Sequence, residues 1–146
     1  MSQINYPASF IDYCATLNMK LTSLRKEVLY VLWSATKPLK AYDILEHLLK
    51  TKANSTPPTV YRALVFFVSM GLVHKIESIQ CYTLCHEPQK QLSSEVLMVC
   101  GECLQVIEVY HEGLSVMFAT LAYEHGFQLR QDAIELKGIC KACKII

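Results

Sequence analysis

The chain lacks any apolar run approaching the roughly 18 residues that a transmembrane helix needs, so no membrane role is expected of it. It also lacks the opening of charged, apolar and small residues that would mark a secretory signal. A cytoplasmic location with reduced thiols is the expectation that follows. Familiar catalytic signatures are missing too. There is no glycine-rich phosphate loop and no Ser-His-Asp arrangement, and His86-Glu87-Pro88 does not have the spacing of a zinc deaminase. The chain is therefore not expected to be an enzyme.

Net charge is small, at +1, but unevenly spread. Residues 1–83 hold nine Lys and Arg against five Asp and Glu, while residues 84–146 hold five against eight. A basic first part beside an acidic, cysteine-rich second part points to nucleic acid on one side and metal on the other. With 146 residues and a mean hydropathy of +0.24, the chain has enough apolar material for packed cores. We read it as two small domains, 1–83 and 84–146.

Four of the seven cysteines form two knuckles, Cys100-Gly101-Glu102-Cys103 and Cys140-Lys141-Ala142-Cys143. Four thiols at this spacing can close a tetrahedral shell around one zinc ion. The rival is a thioredoxin-like redox pair, but that needs a single knuckle at a strand-to-helix junction. Since 36 residues separate the knuckles, the second must be carried back by a helix and a strand. The metal would then staple a domain. A shell closed by four thiolates leaves zinc no open position for activating water. Cys14 is read as a small packed side chain.

Helical periodicity places a short helix over 9–19 and a second one after the cap Thr22, ended by Pro38. A third amphipathic helix carries Ala41, Ile44, Leu45, Leu48 and Leu49. Thr56-Pro57-Pro58-Thr59 then suits a helix entry, because prolines in the first turn sacrifice no intrahelical hydrogen bond. Val60, Ala63, Leu64, Phe67 and Val68 form its apolar stripe, and Gly71 stops it. This leaves Thr59, Tyr61 and Arg62 exposed on its first turns, where a recognition helix presents side chains to a major groove. Three helices, this one and a following hairpin spell a winged helix-turn-helix. A plain helical bundle with a solvated Tyr and Arg is the alternative.

The hairpin is expected to pair strands 72–78 and 81–85 across a two-residue turn at Ile79-Gln80, which opposes Ser78 to Cys81 and His74 to Cys85. Directly opposed residues have Cβ atoms about 4.5 to 5.5 Å apart, close enough for a nitrogen and a sulfur to share one zinc. In the second domain, 96–99 and 105–110 read as strands around the first knuckle, 114–125 as a helix and 128–137 as a third strand. A sheet this small gains from a metal and from an intermolecular edge, which favours a dimer. His111 and His125 are read as surface or helix-end residues.

These motifs together resemble the ferric-uptake-regulator family, and within it the zinc uptake regulators. The resemblance rests on Leu21-Thr22-x-x-Arg25-x-x-Val28-Leu29, Ala41-Tyr42-Asp43-Ile44-Leu45, Pro57-Pro58-Thr59-Val60-Tyr61-Arg62-Ala63-Leu64, the stretch from Gly71 through His74 to Ser78, and the two knuckles. It covers nearly the whole chain in order. The implied fold is α+β, a winged helix-turn-helix domain followed by a zinc-stapled α/β dimerisation domain. The implied activity is that of a homodimeric, zinc-responsive repressor of metal-uptake genes that binds double-stranded DNA at a palindromic operator. Regulators answering to another metal, or binding DNA constitutively, stay open. A zinc scaffold without DNA binding is the reading from another class.

The same resemblance assigns Cys100, Cys103, Cys140 and Cys143 to a structural zinc, and His74, Cys85 and Glu108 to a second, regulatory zinc. The family usually places a histidine where this chain has Ser93, and many relatives have one where it has Gln131. Here the regulatory shell is therefore one protein ligand short, with His86, Cys81, Glu95 or water as candidates to complete it. Soft thiolate and imidazole ligands favour zinc over magnesium or manganese. For DNA, the resemblance implies Arg62 and Tyr61 near base edges, with Thr59, Arg25, Tyr42 and Lys75 closer to phosphates.

Overall fold

The computed structural model of the protein describes residues 4–51, 54–86, 95–129 and 134–144. It divides into two compact units, Met1–Leu84 and Cys85–Ile146. The first begins with α1, Ala8–Thr16. This helix stops short of the expected 19 because Asn18 turns left-handed, with φ 51°, a conformation that Asn tolerates better than most residues. α2, Ser23–Ser34, starts where Thr22 accepts a hydrogen bond from the Arg25 N–H at 3.3 Å. It ends before Pro38, at the extended Ala35. In α3, Ala41–Leu49, the Asp43 carboxylate accepts from the Lys40 N–H at 3.1 Å.

α4, Pro57–Ser69, has its two prolines in the first turn. Gly71, at φ 78°, closes it, and the Leu72 N–H bonds the Phe67 carbonyl at 3.0 Å. The three later helices meet through Val28, Leu29 and Leu32, Ile44 and Leu48, and Val60, Leu64 and Phe67, all of them buried, with Phe10 added from α1. Burying each such side chain contributes about 1.5 to 3 kcal/mol. Because this stripe must face inward, Tyr61, Arg62 and Val65 on the opposite side of α4 face outward.

The hairpin corrects the expected register. β1, Val73–Ile76, and β2, Cys81–Leu84, pair antiparallel with Ile76 opposite Cys81, so His74 lies opposite Thr83 and not Cys85. A two-residue hairpin loop requires positive φ at its central residues or a glycine, and β-branched Ile79 does not suit that conformation. The turn therefore takes four residues, 77–80, with only Gln80 at positive φ, 51°. The Gln80 side-chain amide donates to the Glu77 carbonyl at 2.8 Å and holds the turn. Leu39 adds a bridge that sequence pattern did not show, exchanging hydrogen bonds of 2.9 and 2.7 Å with Tyr82. One paired residue leaves no alternation to read.

The second unit is a three-stranded sheet ordered β4-β3-β5, with helix α5, Glu112–Glu124. β3, Glu95–Cys100, pairs antiparallel with β4, Val106–Tyr110, and parallel with β5, Ile134–Gly138. The third strand was expected over 128–137. Residues 127–129 are irregular, and 130–133 lie outside the described residues, so the observed strand starts later. The parallel register sets Cys100 against Gly138, which fixes where the second knuckle arrives.

Candidate metal centres and nucleic-acid face

Both knuckles sit at the same end of this sheet. After β3, the Leu104 N–H returns to the Cys100 carbonyl at 2.9 Å with Leu104 at φ 63°, folding the first knuckle tightly. After β5, the N–H groups of Cys143 and Lys144 both return to the Cys140 carbonyl, at 3.1 and 3.0 Å. The two loops are tied by the Gly101 N–H on the Gly138 carbonyl at 2.9 Å and by the Cys140 N–H on the Cys100 sulfur at 3.3 Å. All four sulfur atoms lie within 4.8 Å of one another.

This cluster fits zinc on its own dimensions. Cys103 Sγ and Cys140 Sγ are 3.7 Å apart, and a tetrahedron with zinc–sulfur bonds of about 2.3 Å has an edge of about 3.8 Å. A disulfide needs about 2.05 Å, so these are thiols arranged as ligands, and all four are unbridged. Backbone N–H groups of Cys103 and Cys140 pull the Cys100 thiol down to about 6, favouring its thiolate. Cys143 is pushed up to about 12, because its proton is shared with the sulfurs of Cys140 and Cys103. Four sulfurs packed this closely cannot all be anionic without a cation between them. A divalent ion resolves that conflict by displacing the remaining protons.

A second group of ligand types gathers at the start of the second unit. Cys85 is buried, and its sulfur lies within 4.8 Å of the Glu108 carboxylate on β4. The His86 N–H donates to Glu108 Oε2 at 3.3 Å, and the Tyr110 hydroxyl donates to the same oxygen at 3.3 Å. Tyr110 was not singled out from the sequence, although it stands two residues from Glu108 and hence on the same face of β4. In the first unit, His74 is buried on β1. Cys81 is also buried, its thiol directed to the Ile79 carbonyl at 3.3 Å and its pKa raised by burial. Ser93 and Gln131 lie outside the described residues, and so does the Glu95 side chain.

The outward side of α4 presents Tyr61, half exposed, and Arg62. Thr59 is half buried, its hydroxyl 2.7 Å from that of Thr56. Tyr42 on α3 is exposed. The Arg25 guanidinium stacks 3.6 Å from the centre of the Phe66 ring, which fixes its plane and leaves donors at its edge. Lys75 pairs with Glu77 at 3.6 Å on the surface of the hairpin, a contact too exposed to hold it firmly.

The chain is similar to known proteins over most of its length. The model of the Ferric uptake regulator family matches residues 16–137. The zinc uptake regulation protein of Escherichia coli (strain K12) is 40% identical over 130 residues, spanning 89% of this chain and 76% of that protein. A solved structure of a zinc uptake regulator complexed with zinc and DNA is similar with a TM-score of 0.80 at 39% identity, over 93% of this chain and 91% of the other. The crystal structure of holo XcZur gives a TM-score of 0.78 at 32% identity, over 92% and 96% of the two chains. The chain therefore belongs to the ferric uptake regulator family.

Proposed function

We propose that this protein is a zinc-responsive, DNA-binding repressor of metal-uptake genes that works as a homodimer on a palindromic operator in the cytoplasm. The observation that carries this reading is the pairing, in one chain, of a closed four-sulfur cluster with a helix whose first turns expose Tyr61 and Arg62. The cluster offers a metal no vacant position for substrate, so its role is structural and not enzymatic. The helix offers an aromatic and a cation at the place where a major-groove reader carries its contacts. Similarity to a regulator solved with zinc and DNA supports both halves.

In this reading residues 1–83 bind DNA and residues 84–146 dimerise and hold metal. Cys100, Cys103, Cys140 and Cys143 hold a structural zinc. His74, Cys85 and Glu108 hold the regulatory one, and the mixture of thiolate, imidazole and carboxylate favours zinc over harder cations. An ion held by these three residues would restrict how the two DNA-binding units of a dimer are presented, so metal and operator affinities rise together. Arg62 and Tyr61 meet base edges, while Thr59, Arg25, Tyr42 and Lys75 meet phosphates. Among the described residues no helix is long and apolar enough to cross a membrane. The test is operator binding by the full-length protein with zinc present, after removal of the weaker zinc, and after its return. The reading requires binding that is lost and then recovered.

A further inference from the structure

We propose that Tyr110 is a positioning residue of the second metal site, holding Cys85 and Glu108 in the arrangement that receives the ion. The proposal rests on the reading that these two residues are ligands. The Tyr110 hydroxyl lies 3.7 Å from Cys85 Sγ and donates to Glu108 Oε2 at 3.3 Å, so one oxygen contacts both groups. The pairing spans 25 residues of sequence between Cys85 and Tyr110. It brings the only strand residue with a hydroxyl on the Glu108 face of β4 against a buried thiol.

The chemistry suits a ligand set with two anionic members. A hydroxyl has one proton and two lone pairs, so it can accept from a thiol while donating to a carboxylate, or turn its proton toward a thiolate. With the thiol protonated the hydroxyl bridges the two side chains, and once the thiol ionises its proton offsets part of the repulsion between the two anions. The His86 N–H donates to the same Oε2. Two donors from different directions fix the rotation of the Glu108 carboxylate, which sets where its other oxygen points. Partners that orient ligands in this way typically contribute 10- to 100-fold in metal affinity. The support is of particular use here, because the family resemblance implies a shell one protein ligand short, with Ser93 at the position concerned.

The test is Tyr110→Phe, which keeps the half-buried ring and removes only the oxygen. Full-length protein carrying its four-cysteine zinc is titrated with Co2+, reading the thiolate charge-transfer and d–d bands, and the same site is assayed by zinc competition against a chelator. We expect a 10- to 100-fold weaker second site and a changed cobalt spectrum, with the first zinc and the thermal midpoint retained. Wild-type affinity and spectrum in Tyr110→Phe, where Cys85→Ser has lost the thiolate band, would overturn the role of Tyr110 and leave the second site standing. If the wild-type protein itself takes up no second ion, both the site and the role of Tyr110 fall.

Discussion

Arg62 owes its exposure to its neighbours. Val60, Ala63, Leu64 and Phe67 are buried to 3% exposure or less, and the helical repeat then leaves no inward direction for residues 61 and 62. In the proposed reading this residue meets base edges, so Arg62→Ala should weaken binding to the cognate operator by about 1 to 3 kcal/mol and relax base preference at one position in each half-site. Fluorescence anisotropy with matched and substituted duplexes measures it. Equal loss on every duplex would place Arg62 on a phosphate instead. This exposure was legible in the sequence because it depends on local periodicity alone. The stacking of Arg25 on Phe66 was not, since it depends on how α2 packs against α4. The hydroxyl of Tyr110 was missed for the same reason, its thiol partner lying far off in sequence.

Elements differ in how much of their geometry is local. A Cys-x-x-Cys knuckle is, and the inference that a helix and a strand must return the second knuckle follows from chain length. The structure supplies α5 and β5 for that task, with β5 parallel to β3. Hairpin register is not local in this sense, because it shifts with the length of the turn. Ile79 and Gln80 carry no strong turn signal, and the four-residue turn over 77–80 sets the pairing of every residue in β1. In the proposed reading the knuckles also stabilise the second unit, whose small sheet gains from a cross-link. Cys103→Ser should remove one tightly held zinc per chain and lower the thermal midpoint by about 10 °C or more, equivalent to roughly 2 kcal/mol for a domain of this size. Elemental analysis and a calorimetric scan check both. Full zinc content with an unchanged midpoint would remove the structural role.

At the scale of the whole molecule, the second unit leaves a row of apolar side chains in solvent. Met98, Ile107 and Leu136 are neighbours across β3, β4 and β5 and are 41%, 45% and 46% exposed, and Val116, Met117 and Leu121 on α5 are exposed as well. Monomers seldom tolerate contiguous patches of this kind, and a second copy of the chain is the partner that the proposed homodimer supplies. Leu136→Glu should raise the dimer dissociation constant at least about tenfold, the equivalent of about 1.4 kcal/mol, while the four-cysteine zinc stays bound. Sedimentation at graded concentrations reads this directly. The central claim is that zinc at a second, weaker site controls DNA binding. Its most direct measurement is operator affinity across a buffered range of free zinc, for the wild-type protein and for Cys85→Ser, with the four-cysteine zinc present in both. The account predicts a steep gain in affinity for the wild type that Cys85→Ser lacks, at equal dimer content. Wild-type affinity that is the same at every free zinc concentration would contradict it.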